Sequence, residues 1–260
     1  MPSRRKFVTA LGSTGVLAFT MLTGLAQPGA MAQDMASTPT ADMGNCVTAL
    51  GIGMDGDACV NVIHASPDAP AVDVYVNGDL ALSGLAFGAA SGWVALPAGE
   101  HQVQVTATGA APDTAVIDAE LTLAEGAAYE VAATGLLADI TPQVFQADLS
   151  ELGAEDARVR VIHASPDAPA VDVAVTGGDV LIENLAFPEA SDYLEVPAAS
   201  YNLEVRPTGT ADVALALPGV AFDAGSVYSV YAIGHVGDGS LTVLPIVATT
   251  TAPEMATPDA

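Results

Sequence analysis

Along most of the chain, apolar side chains recur at every second position. Val72, Val74 and Val76 alternate with Asp73 and Tyr75, and Val103, Val105 and Ala107 alternate with Gln102, Gln104 and Thr106. Val131 and Ala133 share a face with Tyr129. Residues two apart lie on the same side of a strand, so each run predicts a strand with one buried face. Turn residues fall about every 8–12 positions, the spacing of a β-sandwich or barrel. A helical period over a useful length is absent beyond the N-terminal leader described below.

The pattern occurs twice. Val62 to Val74 reads VIHASPDAPAVDV, and Val161 to Val173 repeats it without a change. The match continues with one residue inserted in the second copy. Leu85-Ala86-Phe87 answers Leu185-Ala186-Phe187, Ala90-Ser91 answers Ala190-Ser191, and Thr108-Gly109 answers Thr208-Gly209. Tyr129 and Gly135 answer Tyr228 and Gly234. A repeat of this kind decides the architecture before any local detail. The expected domains are residues 58–149 and 157–247, joined by the acidic linker 150–156. Each is long enough to fold alone and has room for about seven strands.

The repeated motif carries the candidate chemistry. Pro67 and Pro70 each fix φ and remove a backbone donor, so the segment cannot continue a ladder. Ser66 is pushed towards an extended conformation by the proline after it. Asp68 is placed to accept backbone N–H groups in a local turn. His64 ends one strand and Asp73 lies just inside the next, so the two are expected to hydrogen-bond across the turn. The same holds for His163 and Asp172, with Ser165 and Asp167 between them. Two other uses of these residues are weighed. Histidine with two aspartates is metal-ligand chemistry, the metal being unspecified. His64, Ser66 and Asp73 also hold the residue types of a hydrolytic triad. However, Ser66 is proline-bound two positions from His64, and no Gly-x-Ser-x-Gly elbow is present. A structural turn is the preferred reading, and no catalytic residue is assigned.

The motif, its place before a Val-Asp-Val strand, and the later Leu96-Pro97-Ala98-Gly99 segment resemble the bacterial and archaeal domain-of-unknown-function family numbered 4397. The resemblance covers both repeats. It implies an extracytoplasmic β-sandwich domain, often in tandem and sometimes beside adhesion-type domains, with no established activity. The second copy departs from it at Val196-Pro197-Ala198-Ala199-Ser200, where the glycine is missing. The expected fold is therefore all-β, with two tandem antiparallel sandwiches of immunoglobulin- or transthyretin-like type.

Charge sharpens the address. The 260 residues carry 31 acids against 6 lysines and arginines, a net charge of −25, yet 51% of residues are hydrophobic. That is too apolar for an acidic disordered chain. Arg4, Arg5 and Lys6 stand at the N-terminus, which leaves only Arg158, Arg160 and Arg206 against all the acids. Nucleic acid is excluded as a partner on these charges, and an anionic membrane surface would repel the chain. The twin arginine, the apolar run that follows and the small-x-small Ala30-Met31-Ala32 predict a twin-arginine export signal over 1–32. No later segment is apolar enough to span a bilayer. Residues 33–57 are expected to be a flexible acidic segment holding a disulfide loop, and 248–260 a flexible Thr/Pro/Ala tail.

Cys46 and Cys59 are expected to form one disulfide in the oxidising compartment, because two thiols without a nearby histidine cannot complete a zinc site. Tyr75, Trp93, Tyr193 and Tyr231 fall out of phase with the valines and are candidates for an outward binding face. Asp55-Gly56-Asp57 makes Ca²⁺ a candidate partner, although the spacing is not that of an EF-hand. No cofactor is expected. The functional expectation is a secreted or envelope-associated, non-catalytic module for an extracellular polymer or protein. Carbohydrate or Ca²⁺ binding is the alternative, and a hydrolase the second alternative.

Overall fold

The computed structural model describes residues 43–250. The predicted export signal, the first ten residues of the 33–57 segment and the tail from 251 lie outside the described residues.

The first repeat contributes β1 (Asp57–His64), β2 (Val72–Val76), β3 (Asp79–Leu85), β4 (Val94–Pro97), β5 (Gly99–Ala107), β6 (Ile117–Leu123), β7 (Ala128–Thr134) and β8 (Thr141–Ala147). The second contributes β9 (Asp156–His163), β10 (Val171–Val175), β11 (Val180–Leu185), β12 (Leu194–Pro197), β13 (Ala199–Pro207), β14 (Leu215–Phe222), β15 (Ser226–Ile233) and β16 (Thr242–Thr249). Each repeat folds into two four-stranded sheets, ordered β4-β1-β7-β8 over β3-β2-β5-β6 in the first and β12-β9-β15-β16 over β11-β10-β13-β14 in the second. The all-β tandem sandwich expected from the period-two pattern is what the chain forms.

Two details go beyond the pattern. Each sandwich has eight strands rather than about seven, because the segment around Pro97 breaks in two. Pro97 lacks an N–H, and Gly99 takes a φ of +131°, so the chain leaves one sheet as β4 and enters the other as β5. In the second copy Ala199 makes the same switch without a positive φ, helped by the Ala198 N–H donating to Glu155 O at 2.8 Å. In addition, β1–β7 and β9–β15 pair in parallel, whereas every other pair is antiparallel.

Within each sandwich the sheets meet through small aliphatics. Val72, Val74, Val105 and Ile117 pack towards Ala133 and Val62 in the first. Val161, Val171, Val173 and Val205 do the same in the second. A further cluster joins the two repeats: Ile63, Ala65 and Ala132 pack with Ile162, Ala164, Tyr231, Ile233 and Ile246. The sheets containing β1 and β9 thus meet in a seam, each using the face turned away from its own sandwich.

Residues 43–57 are not the loose segment expected. Cys46–Leu50 form a short helix, α1, capped by the Asn45 side chain, which accepts from Val47 N–H at 3.0 Å. The disulfide Cys46–Cys59 ties α1 to β1. Both sulfurs sit in an apolar cluster with Ala128, Leu149, Val227 and Ala248, at one end of the seam. The apolar contact and the crosslink hold residues that composition alone marks as loop. At the other boundary, β16 continues to Thr249, two residues past the expected domain end.

Candidate functional site

The repeated motif forms a loop on each sandwich, and its histidine and aspartate bond to backbone groups of that loop and of a neighbouring one, while the Ser66 hydroxyl and His163 Nδ1 are buried without a hydrogen-bond partner. His64 is fully buried, and its Nε2 bonds to Pro70 O at 3.0 Å while its Nδ1 lies 3.4 Å from the Ser66 N–H. The ring meets the edge of Phe87 at a centroid distance of 6.3 Å. In the second copy His163 Nε2 bonds to Pro169 O at 3.0 Å and the ring meets Phe187 at 6.1 Å. The repeated Leu-Ala-Phe therefore serves to wall in the histidine.

The expected His–Asp hydrogen bond is absent in both copies. Asp73 instead accepts from Gly84 N–H at 2.8 Å, Gly109 N–H at 2.8 Å and Ser83 Oγ at 2.9 Å. Asp172 accepts from Asn184 N–H at 2.8 Å, Thr208 Oγ1 at 3.0 Å and Gly209 N–H at 3.1 Å. The side chain points from β2 or β10 to a bulge in the neighbouring strand and a turn of its own sheet, whereas the histidine points into the loop. Asn184 adopts a φ of +52° where the first copy has Gly84 at +70°, the exchange a left-handed position allows. The Gly109 and Gly84 amides hold the Asp73 carboxyl below the ordinary carboxylate range, against its burial. The Asn184 amide is the largest cause of the same lowering at Asp172, and burial again opposes it.

Asp68 does not close a local turn either. It accepts the Leu137 N–H at 2.7 Å, from the loop between β7 and β8. Asp167 accepts Val236 and Gly237 N–H, both at 2.9 Å, and lies 3.6 Å from His235 Nδ1. Burial raises the Asp167 carboxyl, but these two amides and His235 outweigh it and lower it overall. Ser165 Oγ donates to Gly234 O at 2.7 Å. Each loop is thus a brace between strands. Among the described residues no group of three or more metal-ligating side chains is assembled. Asp57 of the Asp-Gly-Asp turn caps Met54 N–H at 2.9 Å.

The four candidate aromatics do not form an outward face. Tyr75 stands alone on β2, half-buried, with its hydroxyl donating to Ala110 O at 3.1 Å. Trp93, Tyr193 and Tyr231 do point away from the core of their own sandwich, but the other sandwich covers them. Tyr231 is fully buried, and Trp93 Nε1–H donates to Val247 O at 3.3 Å across the seam.

At the middle of the seam lies a polar cluster that sequence reasoning missed. Arg160 on β9 pairs with Glu130 on β7 at 3.3 Å, both nearly fully buried. Arg160 Nε–H donates to Ser229 Oγ at 2.9 Å and an Nη1 group donates to Gln146 O at 2.9 Å. Tyr231 OH donates to Glu130 at 2.7 Å. The guanidinium also lies 4.7 Å from the centroid of the Tyr193 ring and 5.7 Å from that of Phe145. Burial and then the Glu130 charge push the Tyr231 hydroxyl well above its ordinary value. The signal was present in the sequence: Arg158 and Arg160 alternate with Val159 and Val161 in a chain with almost no other cation. Arg158 pairs with Asp148 at 2.9 Å and Glu195 at 2.7 Å, and Arg206 pairs with Glu204. Every arginine among the described residues is therefore engaged internally, and the outer faces are left anionic.

A family model described as "Domain of unknown function (DUF4397)" matches residues 58–174 and again residues 157–257. No curated protein matches the chain in sequence. Among solved structures, the Bacillus anthracis TIE protein aligns at 9% identity and a TM-score of 0.21, over 69% of this chain and 34% of its own, so this chain spans about a third of it. A streptococcal virulence factor described as binding alpha-glucan aligns at 10% identity and a TM-score of 0.23, over 71% and 96%. Family 41 carbohydrate-binding modules from streptococcal virulence factors align at 12% identity and 0.23, over 67% and 92%.

Proposed function

The chain belongs to the DUF4397 domain-of-unknown-function family over both of its sandwiches, and we propose that it is an extracytoplasmic, non-catalytic protein that presents two seam-locked sandwiches to an envelope polymer or a partner protein. One observation carries this reading. The residues that would have to act in catalysis, His64, Asp68, Asp73 and their copies, are bonded to backbone groups of the turns they brace. A hydrolase needs a nucleophile held against a free base, and neither His64 nor His163 is bonded to a serine hydroxyl.

Supporting the address are the twin arginine of the leader and a disulfide, which persists in oxidising compartments. The internally paired arginines favour a partner that is neutral or cationic. Two experiments test the reading. A tagged full chain should be exported, and Arg4→Lys with Arg5→Lys should retain it in the cytoplasm. The exported chain should co-sediment with envelope material or an insoluble polysaccharide, and His64→Ala with His163→Ala should abolish no turnover. Hydrolysis lost in that double variant while it keeps its fold would overturn the reading.

A further inference from the structure

We propose that the gap between the two sheets of each sandwich is a binding site for one small, neutral, apolar molecule.

The side chains that face across each gap are mostly valine and alanine. Two sheets pack about 10 Å apart, and side chains this short do not fill the space between them. The first sandwich encloses a cavity of about 330 Å³ and the second one of about 340 Å³. Protein interiors rarely hold voids larger than a water molecule. An apolar cavity of about 150 Å³ already takes up benzene, and ligand pockets begin near about 300 Å³.

The two cavities are the same feature made twice. Val62, Val74 and Val131 line the first, and their counterparts Val161, Val173 and Val230 line the second. Each reaches solvent along the same edge. Val144 on edge strand β8 lines the first cavity and is 45% exposed, and Val247 on edge strand β16 lines the second and is 41% exposed.

Charge selects the ligand class. The ionisable groups at the first wall are His101 and Glu120, and at the second Asp223 and Tyr228. Both His101 ring nitrogens are engaged, Nε2 with Pro97 O at 2.8 Å and Nδ1 with the Asn77 amide at 3.1 Å. The Tyr228 hydroxyl is held by Asp223, accepting its N–H at 3.0 Å. No free donor awaits a carboxylate, and Glu120 and Asp223 repel one. A neutral apolar molecule meets neither obstacle.

The test uses the full chain and N-phenyl-1-naphthylamine, a neutral dye that fluoresces in apolar surroundings. Saturable binding of one dye per sandwich is expected. Val131→Phe should remove the first site, Val230→Phe the second, and the two together both. In case the phenylalanine variants fail to fold, Val62→Leu with Val131→Leu fills the first gap more gently and should weaken its site at least tenfold. At neutral pH 1-decanol should displace the dye, and decanoate at the same concentration should not. Non-saturable uptake, or undiminished binding in a filled chain with wild-type near-ultraviolet circular dichroism, would overturn the site. Equal displacement by decanoate would overturn the neutral ligand.

Discussion

Adjacent residues of β7 enter two different interiors. Ala132 points into the seam between the sandwiches, among Tyr231, Ile63 and Ile162. Val131 points the other way, into the gap between the sheets of its own sandwich. The seam is filled by large rings and a buried ion pair, whereas the gap of the first sandwich is bordered mainly by valines that leave space. Trp93, Tyr193, Tyr231 and Phe145 gather in the layer between the repeats, whereas no Phe, Tyr or Trp lines the first gap and the second holds a stack of Tyr201, Phe222 and Tyr228 beside its valines. Rings and charges fix one arrangement of two bodies, and a valine gap tolerates change.

The largest test is at the seam's ion pair. Arg160→Met should destabilise the chain by about 3–5 kcal/mol, since it leaves the Glu130 carboxylate buried without its cation. The shift of the denaturant midpoint reads it. Next comes the disulfide at the seam's end. Cys46→Ser with Cys59→Ser should cost roughly 3 kcal/mol on the chain-entropy estimate for a loop of this size, again read in denaturant. Third is the pair that separates the two interiors. Ala132→Leu should cost about 1–3 kcal/mol by overpacking the seam. Val131→Leu, one residue away, should change stability by no more than about 0.5 kcal/mol, or raise it. Equal losses would erase the distinction.

The smallest effects are in pH. The Asp73 and Asp172 carboxyls are lowered in the fold, so their contribution is present above the unfolded value of about 3.9 and is lost as pH falls through the lower folded values. Acid should therefore loosen the turns of each sandwich, and Asp73→Asn should reduce the acid dependence of melting. Tyr231 is raised, so its contribution is present in full below about pH 10 and is lost as pH rises through the folded value. Alkali should attack the seam, and Tyr231→Phe should blunt that loss in a pH series of melting curves.

Strand period and internal repeat were readable because they are local: Val72, Val74 and Val76 announce a half-buried strand without reference to anything else. Trp93, Tyr193 and Tyr231 fall out of phase with the valines in the sequence, and in the fold they lie on the seam side of their strands. What lay across from them was not readable, because the covering surface comes from residues about 100 positions distant, as between Glu130 and Tyr231. The same limit explains the motif. Proximity in sequence pairs Asp73 with His64, whereas its partners Gly84 and Gly109 are fixed by a bulge and a turn that only the paired strands define. The repeated Thr-Gly is visible in the sequence, yet its use as a donor to that aspartate depends on the register of β2 against β5.

High-pressure unfolding addresses the contrast between filled seam and open gap most directly, because the volume lost on unfolding scales with the void space removed. The wild-type chain should show a larger volume change than Val131→Leu with Val230→Leu, while Ala132→Leu should leave it unchanged. A volume change the same in wild type and the doubly filled chain would contradict the open gap.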